Sequence, residues 1–185
     1  MHAPILQKET LAPGITRMVV AAPQVAAHAA AGQFVILRAV PEGERIPLTI
    51  ADFDAAAGTV TVIYQVVGGT TLLLDSLLPG DCLPTFAGPL GRPSEVAGFA
   101  RAAVIGGGLG CAIALPTAAA LTRQGCRVTV IAGFRSRQQV IYNAHSKGIY
   151  HPALITYYLA VVSPYARIKQ QWIEKSIAVF YPAAV

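Results

Sequence analysis

The chain has 185 residues, 54% of them hydrophobic and 12% charged, with 17 Gly and 13 Pro. That excludes a disordered polar chain and a large multidomain enzyme, and leaves one ordinary domain or two small ones. The formal charge of +5, from 14 Lys+Arg against 9 Asp+Glu, is dispersed, with no basic cluster of the kind a nucleic-acid footprint needs, so no nucleic acid is expected as a partner.

Segment 1–10, MHAPILQKET, has no basic start followed by an apolar run. No signal peptide is read there, and a cytoplasmic location is expected. Residues 3–87 read as strands punctuated by turns. β-rich runs fall at 15–21, 33–40, 46–53 and 59–67, bounded by Pro13-Gly14, Gly32, Pro41-Glu42-Gly43 and Ala57-Gly58, and this spacing predicts a small antiparallel barrel. TTLLLDSLL at 70–78 follows Gly68-Gly69 and stops at Pro79-Gly80, which predicts one short helix. FAGPLGRPS at 86–94 is Gly- and Pro-rich without a period, and marks the joint between two domains.

After the joint, 102–105 is a buried-type strand, 106–110 a glycine turn, 112–124 a helix despite Pro116, and 127–132 a second buried-type strand. Strand, turn, helix and strand make one βαβ unit, the start of a parallel α/β sheet. Pro116 is expected within the first two turns of the helix, where a missing donor costs little. The fold class is therefore a β barrel plus α/β, with domains at 1–97 and 98–142. Residues 143–185 form a tail with one Gly, five of the seven Tyr, the only Trp, and Glu174 against four Lys/Arg. No helical or strand period is visible in it, and its apolar stretch is well short of the roughly 20 residues that span a bilayer.

Cys82, Cys111 and Cys126 match neither a disulfide framework nor a zinc pattern, and three thiolates cannot hold a four-thiolate iron–sulfur cluster. Cys82 and Cys126 are read as buried apolar side chains. The histidines, His2, His28, His145 and His151, show no ligand spacing, and no metal site is expected.

Three constellations carry chemistry. Arg45-Ile46-Pro47-Leu48-Thr49 offers a guanidinium to a phosphate and a hydroxyl to a ring system; a surface Arg beside an edge-strand Pro is the alternative. Val66-Val67-Gly68-Gly69-Thr70-Thr71 opens a helix whose N–H groups suit a pyrophosphate, or forms a plain strand-to-helix turn with a Thr cap. Gly106-Gly107-Gly108-Leu109-Gly110-Cys111 lies between a strand and a helix, but Cys111 stands where the dinucleotide fingerprint has its last glycine. Helix-start placement is expected to lower the Cys111 thiol pKa. Beyond the second strand, Arg135-Ser136-Arg137 suits a 2′-phosphate and favours NADP over NAD; two solvated loop arginines are the alternative.

The order Gly32-Gln33-Phe34-Val35, Arg45-Ile46-Pro47-Leu48-Thr49, Gly68-Gly69-Thr70-Thr71, Pro79-Gly80-Asp81, Gly88-Pro89-Leu90-Gly91 and Val104-Ile105-Gly106-Gly107-Gly108 resembles the ferredoxin:NADP reductase superfamily. Within it the sequence is most similar to the small FAD subunits of NADH-dependent ferredoxin:NADP oxidoreductases, with sulfide dehydrogenase and dihydroorotate dehydrogenase electron-transfer subunits as relatives. The resemblance implies an FAD-binding barrel, an NADP- or NAD-binding domain, and a partner that is a larger flavin/iron–sulfur subunit or ferredoxin. It places Arg45 on the FAD pyrophosphate, Pro47, Leu48 and Thr49 along the flavin, Ile63, Tyr64 and Gln65 on a strand beside it, and Gly69, Thr70 and Thr71 at the second pyrophosphate contact. The resemblance likewise implies that Thr49 lies near the redox-active nitrogen and that Gly107, Gly108, Leu109 and Gly110 contact the nicotinamide dinucleotide, with Cys111 near its ring or, alternatively, packed as a helix-start cysteine in the interface. Thr49 and Cys111 are thus the candidate catalytic positions.

The resemblance ends at about Tyr142. The family's acidic helix, further strands and cluster-binding cysteines are not visible in 143–185. The expectation is a sheet cut after two strands, in a truncated or frame-shifted reading of a longer gene or a divergent one. The alternative to an active flavoprotein is a non-catalytic remnant that keeps only the FAD barrel.

Overall fold

The computed structural model describes residues 3–141, together with the backbone of two later strands, 155–161 and 177–181. Two compact units emerge, Met1–Ser94 and Glu95–Val185.

The first unit contains strands β1 (Ala3–Ala12), β2 (Ile15–Ala21), β3 (Phe34–Arg38), β4 (Ile46–Asp54), β5 (Thr59–Gln65), β6 (Cys82–Leu83) and β7 (Thr85–Leu90), with helices α1 (Pro23–Ala26) and α2 (Gly69–Ser76). The strands form one antiparallel sheet in the order β6-β1-β2-β5-β4-β3-β7. Its two edge strands are joined in sequence through Pro84 alone, so the chain itself all but closes the sheet into a barrel. Alternation fills the inside: Met18 and Val20 of β2, Val35 and Leu37 of β3, and Val60, Val62 and Tyr64 of β5 are buried in one core.

Segment 86–94 is not simply a joint, because its first half is β7. Gly88 and Pro89 fit there since β7 pairs only with β3, and an edge strand tolerates a residue without an N–H. The extent of β1 also exceeds expectation; its second half, Lys8 to Ala12, is too polar to show alternation, yet it pairs with β2 along its length. Cys82 is exposed rather than buried, because Leu83 beside it takes the inward position on β6.

The second unit contains β8 (Arg101–Gly107), α3 (Gly110–Arg123), β9 (Arg127–Phe134), a single 3-10 turn at Arg137–Gln139, β10 (Ile155–Val161) and β11 (Ile177–Tyr181). All neighbours run parallel in the order β10-β9-β8-β11. The sheet is therefore not cut after two strands: segment 143–185 supplies one strand on each side of the β8/β9 pair. Strands of parallel sheets need carry no period of two, so none is required of these two segments. Pro116 is the seventh residue of α3, past the first turn, so its missing N–H removes the helical bond that the Ala112 carbonyl would accept. Ala114, Ala118 and Leu121 of α3 pack with Val104, Val128 and Val130 of the sheet.

No helix among the described residues is long and apolar enough to cross a membrane. His2, His145 and His151 lie outside the described residues, and His28 is exposed, bonded to the Gln24 carbonyl at 2.9 Å.

Candidate functional site

Along β4, Ile46, Leu48 and Ile50 belong to or pack against the barrel core, so parity turns Arg45, Pro47 and Thr49 to the outer surface. Thr49 stands opposite Phe34 on β3, and Phe34 stands opposite Leu90 on β7. Ile50 pairs with Val62, which makes Ile63 the next position beside Thr49. The result is a row of Thr49, Phe34 and Leu90, with Pro47 and Gln65 further along and Ile63 beside Thr49 but only 6% exposed: an apolar strip with one hydroxyl, suited to a flat heteroaromatic ring.

The same parity fixes the aim of two further side chains, Leu48 and Tyr64. The Leu48 side chain packs against the core, and Tyr64 is 1% exposed within it. Neither side chain faces a ligand lying on the barrel, so any contact from these positions is through backbone.

At one end of this strip stands the start of α2. Thr71 Oγ1 accepts from the amides of Val67 and Gly68, both at 3.0 Å, and donates to the Gly68 carbonyl. That side chain is committed to holding the turn. By helix geometry the amides of Gly69, Thr70 and Thr71 have no partner inside the helix, and a Cβ at Gly68 or Gly69 would meet nothing within 4 Å, so a ligand can come up to this backbone. Thr70 Oγ1 donates to Glu44 Oε2 at 2.9 Å, across 26 residues of sequence. This bond brings the turn carrying Arg45 to the N-terminus of α2. Arg45 is exposed and enters neither ion pair found among the described residues, Lys8–Asp75 and Arg17–Glu9.

Sequence reasoning missed what holds the other end of α2. Asp75 Oδ1 accepts from Thr16 Oγ1 at 2.8 Å and Tyr64 Oη at 3.2 Å, and lies 3.5 Å from Lys8 Nζ. Lys8 Nζ also donates to the Asp75 and Leu77 carbonyls at the helix C-terminus. Burial pushes the Asp75 carboxyl upward, but the Thr16 hydroxyl, the Lys8 charge and the Tyr64 hydroxyl together leave it below its ordinary value. Burial and the same carboxylate push the Tyr64 phenol up. Residues 67 positions apart make this cluster, and no local pattern signals it. Gln33, quoted only as part of a motif, is likewise structural: it accepts from the Ala30 amide and donates to the Gly91 carbonyl, both at 2.9 Å.

In the second unit the glycine turn leaves the carboxyl end of β8. Gly108 has φ +51 and donates to the Gly133 carbonyl at 2.8 Å, and nothing lies within 4 Å of a Cβ at Gly107 or Gly108. Leu109 precedes α3 and is half-buried, while Gly110 is buried as its first residue. Gly107 pairs with Gly133 on β9, so Arg135, Ser136 and Arg137, just past β9, stand at the same sheet edge as the turn. β9 and β11 flank β8 on opposite sides, and the carboxyl edge at such a reversal of strand order is where open α/β sheets bind ligands. Arg135 and Arg137 are exposed and Ser136 is half-buried.

Cys111 departs from expectation. It is 2% exposed, and burial pushes its thiol up to about 11 against the opposing backbone contact from Gly133; desolvation outweighs the helix terminus. No group of His, Cys, Asp and Glu side chains among the described residues could hold a metal ion.

No family model matches the chain. Over 152 residues it is 36% identical to the dihydroorotate dehydrogenase B (NAD(+)) electron transfer subunit homolog of Thermotoga maritima, covering 82% of this chain and 54% of that one. An uncharacterized protein of the adh 3′ region of Clostridium beijerinckii is 39% identical over 148 residues, 75% of this chain and 49% of that one. Among solved structures, the NADH-dependent reduced ferredoxin-NADP oxidoreductase, studied for flavin-based electron bifurcation, matches with a TM-score of 0.78 and 31% identity, covering 86% of this chain and 56% of that one. The chain spans about half the length of the curated relatives it matches.

Proposed function

Because the chain belongs to the ferredoxin:NADP reductase superfamily, we propose that it is an electron-transfer flavoprotein. It takes reducing equivalents from NADPH through FAD to an iron–sulfur or ferredoxin-type acceptor on a larger partner subunit. The observation that carries this reading is the Glu44–Thr70 bond, which joins the Arg45 turn to the open amides of α2 at one end of the apolar strip around Thr49. A cation and a helix N-terminus beside a flat apolar surface fit a ring linked to a pyrophosphate.

In this reading Arg45 and the amides of Gly69, Thr70 and Thr71 hold the FAD pyrophosphate. Pro47 forms the floor for the ring beside the backbone at Ile63, and Thr49 presents its hydroxyl to the ring's edge. Bound FAD supplies the exchange between two-electron and one-electron chemistry, while the protein supplies orientation and electrostatics. The nicotinamide nucleotide lies on Gly107, Gly108 and the start of α3, and Arg135, Ser136 and Arg137 receive a 2′-phosphate. Cys111 is buried at the helix start and packs rather than reacts. The Thermotoga maritima relative is named as an electron transfer subunit, which supports a partner that completes the electron path. The same name carries NAD(+), so the preference for NADPH rests on the two arginines of this chain.

The test is FAD binding to the purified chain, followed by flavin fluorescence. Arg45→Ala is expected to weaken it about tenfold, roughly 1.4 kcal/mol, with the circular dichroism unchanged. Equal binding by both proteins would remove Arg45 from the site, and no binding by either would remove FAD from the reading.

A further inference from the structure

α2 is an odd element on which to build a phosphate site. Of its eight residues only Leu74 is buried, and Leu72 and Leu73 are 60% and 47% exposed, so apolar packing holds it to the barrel at Leu74 and at Leu77 just past its end. The rest of the hold is polar, one bond from Thr70 to Glu44 at its N-terminal end and a larger set of contacts at its C-terminal end. Lys8 of β1, 16% exposed, donates to the carbonyls of Asp75 and Leu77 and faces the Asp75 carboxylate. Thr16 of β2, 2% exposed, and Tyr64 of β5 donate to that same carboxylate oxygen. Three adjacent strands thus grip one residue in the last turn of the helix, and a cation at a helix C-terminus also meets the negative end of its dipole.

We propose that Lys8 and Asp75, with Thr16 and Tyr64, are positioning residues for the phosphate-binding turn: they hold α2 from its far end so that the amides of Gly69, Thr70 and Thr71 stay beside Arg45. The part of the proposal that concerns FAD rests on the reading given above; the hold on α2 does not. An eight-residue helix spans about 12 Å, so a small rotation about Leu74 displaces the amides by more than a hydrogen bond tolerates.

The experiment compares the full chain with Lys8→Met and Lys8→Arg by amide hydrogen exchange without ligand, by thermal unfolding, and by FAD affinity. In Lys8→Met, exchange is expected to quicken at least tenfold at the hydrogen-bonded amides of residues 72–77 while the amides of β5 keep their protection. FAD affinity is expected to fall about tenfold, and Lys8→Arg to recover most of both losses. Thr16→Val, which deletes a single hydrogen bond, replaces Lys8→Met should that variant fail to fold, with smaller changes in the same places. Unchanged exchange at 72–77 would overturn the proposal, as would a rise spread evenly over the barrel, which marks general loss of stability rather than positioning. If α2 loosens as expected but even the parent chain binds no FAD, the hold on the helix stands and the flavin reading fails.

Discussion

Glu44 places a carboxylate at the helix end where a phosphate is to lie. It accepts from the Thr70 hydroxyl at 2.9 Å, taking a place an anionic ligand would want and repelling that ligand besides. Glu44→Gln keeps an acceptor for Thr70 and removes the charge. FAD affinity measured by fluorescence titration is expected to rise three- to tenfold, about 0.7–1.4 kcal/mol, more at low salt than at high. Weaker binding by the variant would mean that the charge assists the site. The cysteines divide just as sharply by environment. Cys82 is exposed while Cys111 and Cys126 are buried, and burial pushes the Cys111 thiol up to about 11. A thiol reagent at pH 8 should therefore label Cys82 within the dead time and leave Cys111 to react only on unfolding. Rapid labelling of Cys111 would restore it as a reactive group.

Among the elements, the end of β8 packs backbone against the start of α3. A Cβ at Gly106 would come within 2.9 Å of Cys111 Cα and 3.1 Å of its amide nitrogen, and backbone cannot step aside as a long side chain can. Gly106→Ala is expected to destabilise the second unit by about 1–3 kcal/mol and to weaken NADPH binding while FAD affinity stays within twofold. Loss of both ligands together would show that the two units do not behave independently. The strands legible from sequence are those with alternation and punctuated ends: the run at 15–21 coincides with β2, and those at 46–53 and 59–67 lie within two residues of β4 and β5. β7 escapes because Gly88 and Pro89 read as loop until its edge position is known. β10 and β11 escape because short apolar runs without alternation do not by themselves read as strands. The site divides in the same way. Arg45, Thr49 and the Gly68-Gly69 turn are local motifs and readable, whereas the inward aim of Leu48 and Tyr64 depends on register, and the Lys8–Asp75 contact on a fold that brings distant strands together.

For the molecule as a whole, an open barrel end with a cation and helix amides, and a parallel sheet with a glycine turn and two arginines at its carboxyl edge, make one account only if electrons pass between the ligands they would hold. Segment 143–185 bears on this directly, since β10 and β11 flank the β8/β9 pair on both sides and extend the sheet that carries the nucleotide turn. The most direct measurement is the visible absorption spectrum of the chain loaded with FAD, recorded anaerobically before and after NADPH and, separately, NADH. The account predicts flavin bands that bleach with NADPH, and at least tenfold more slowly with NADH. Bands that persist with both nucleotides, or a chain that takes up no flavin, would contradict it.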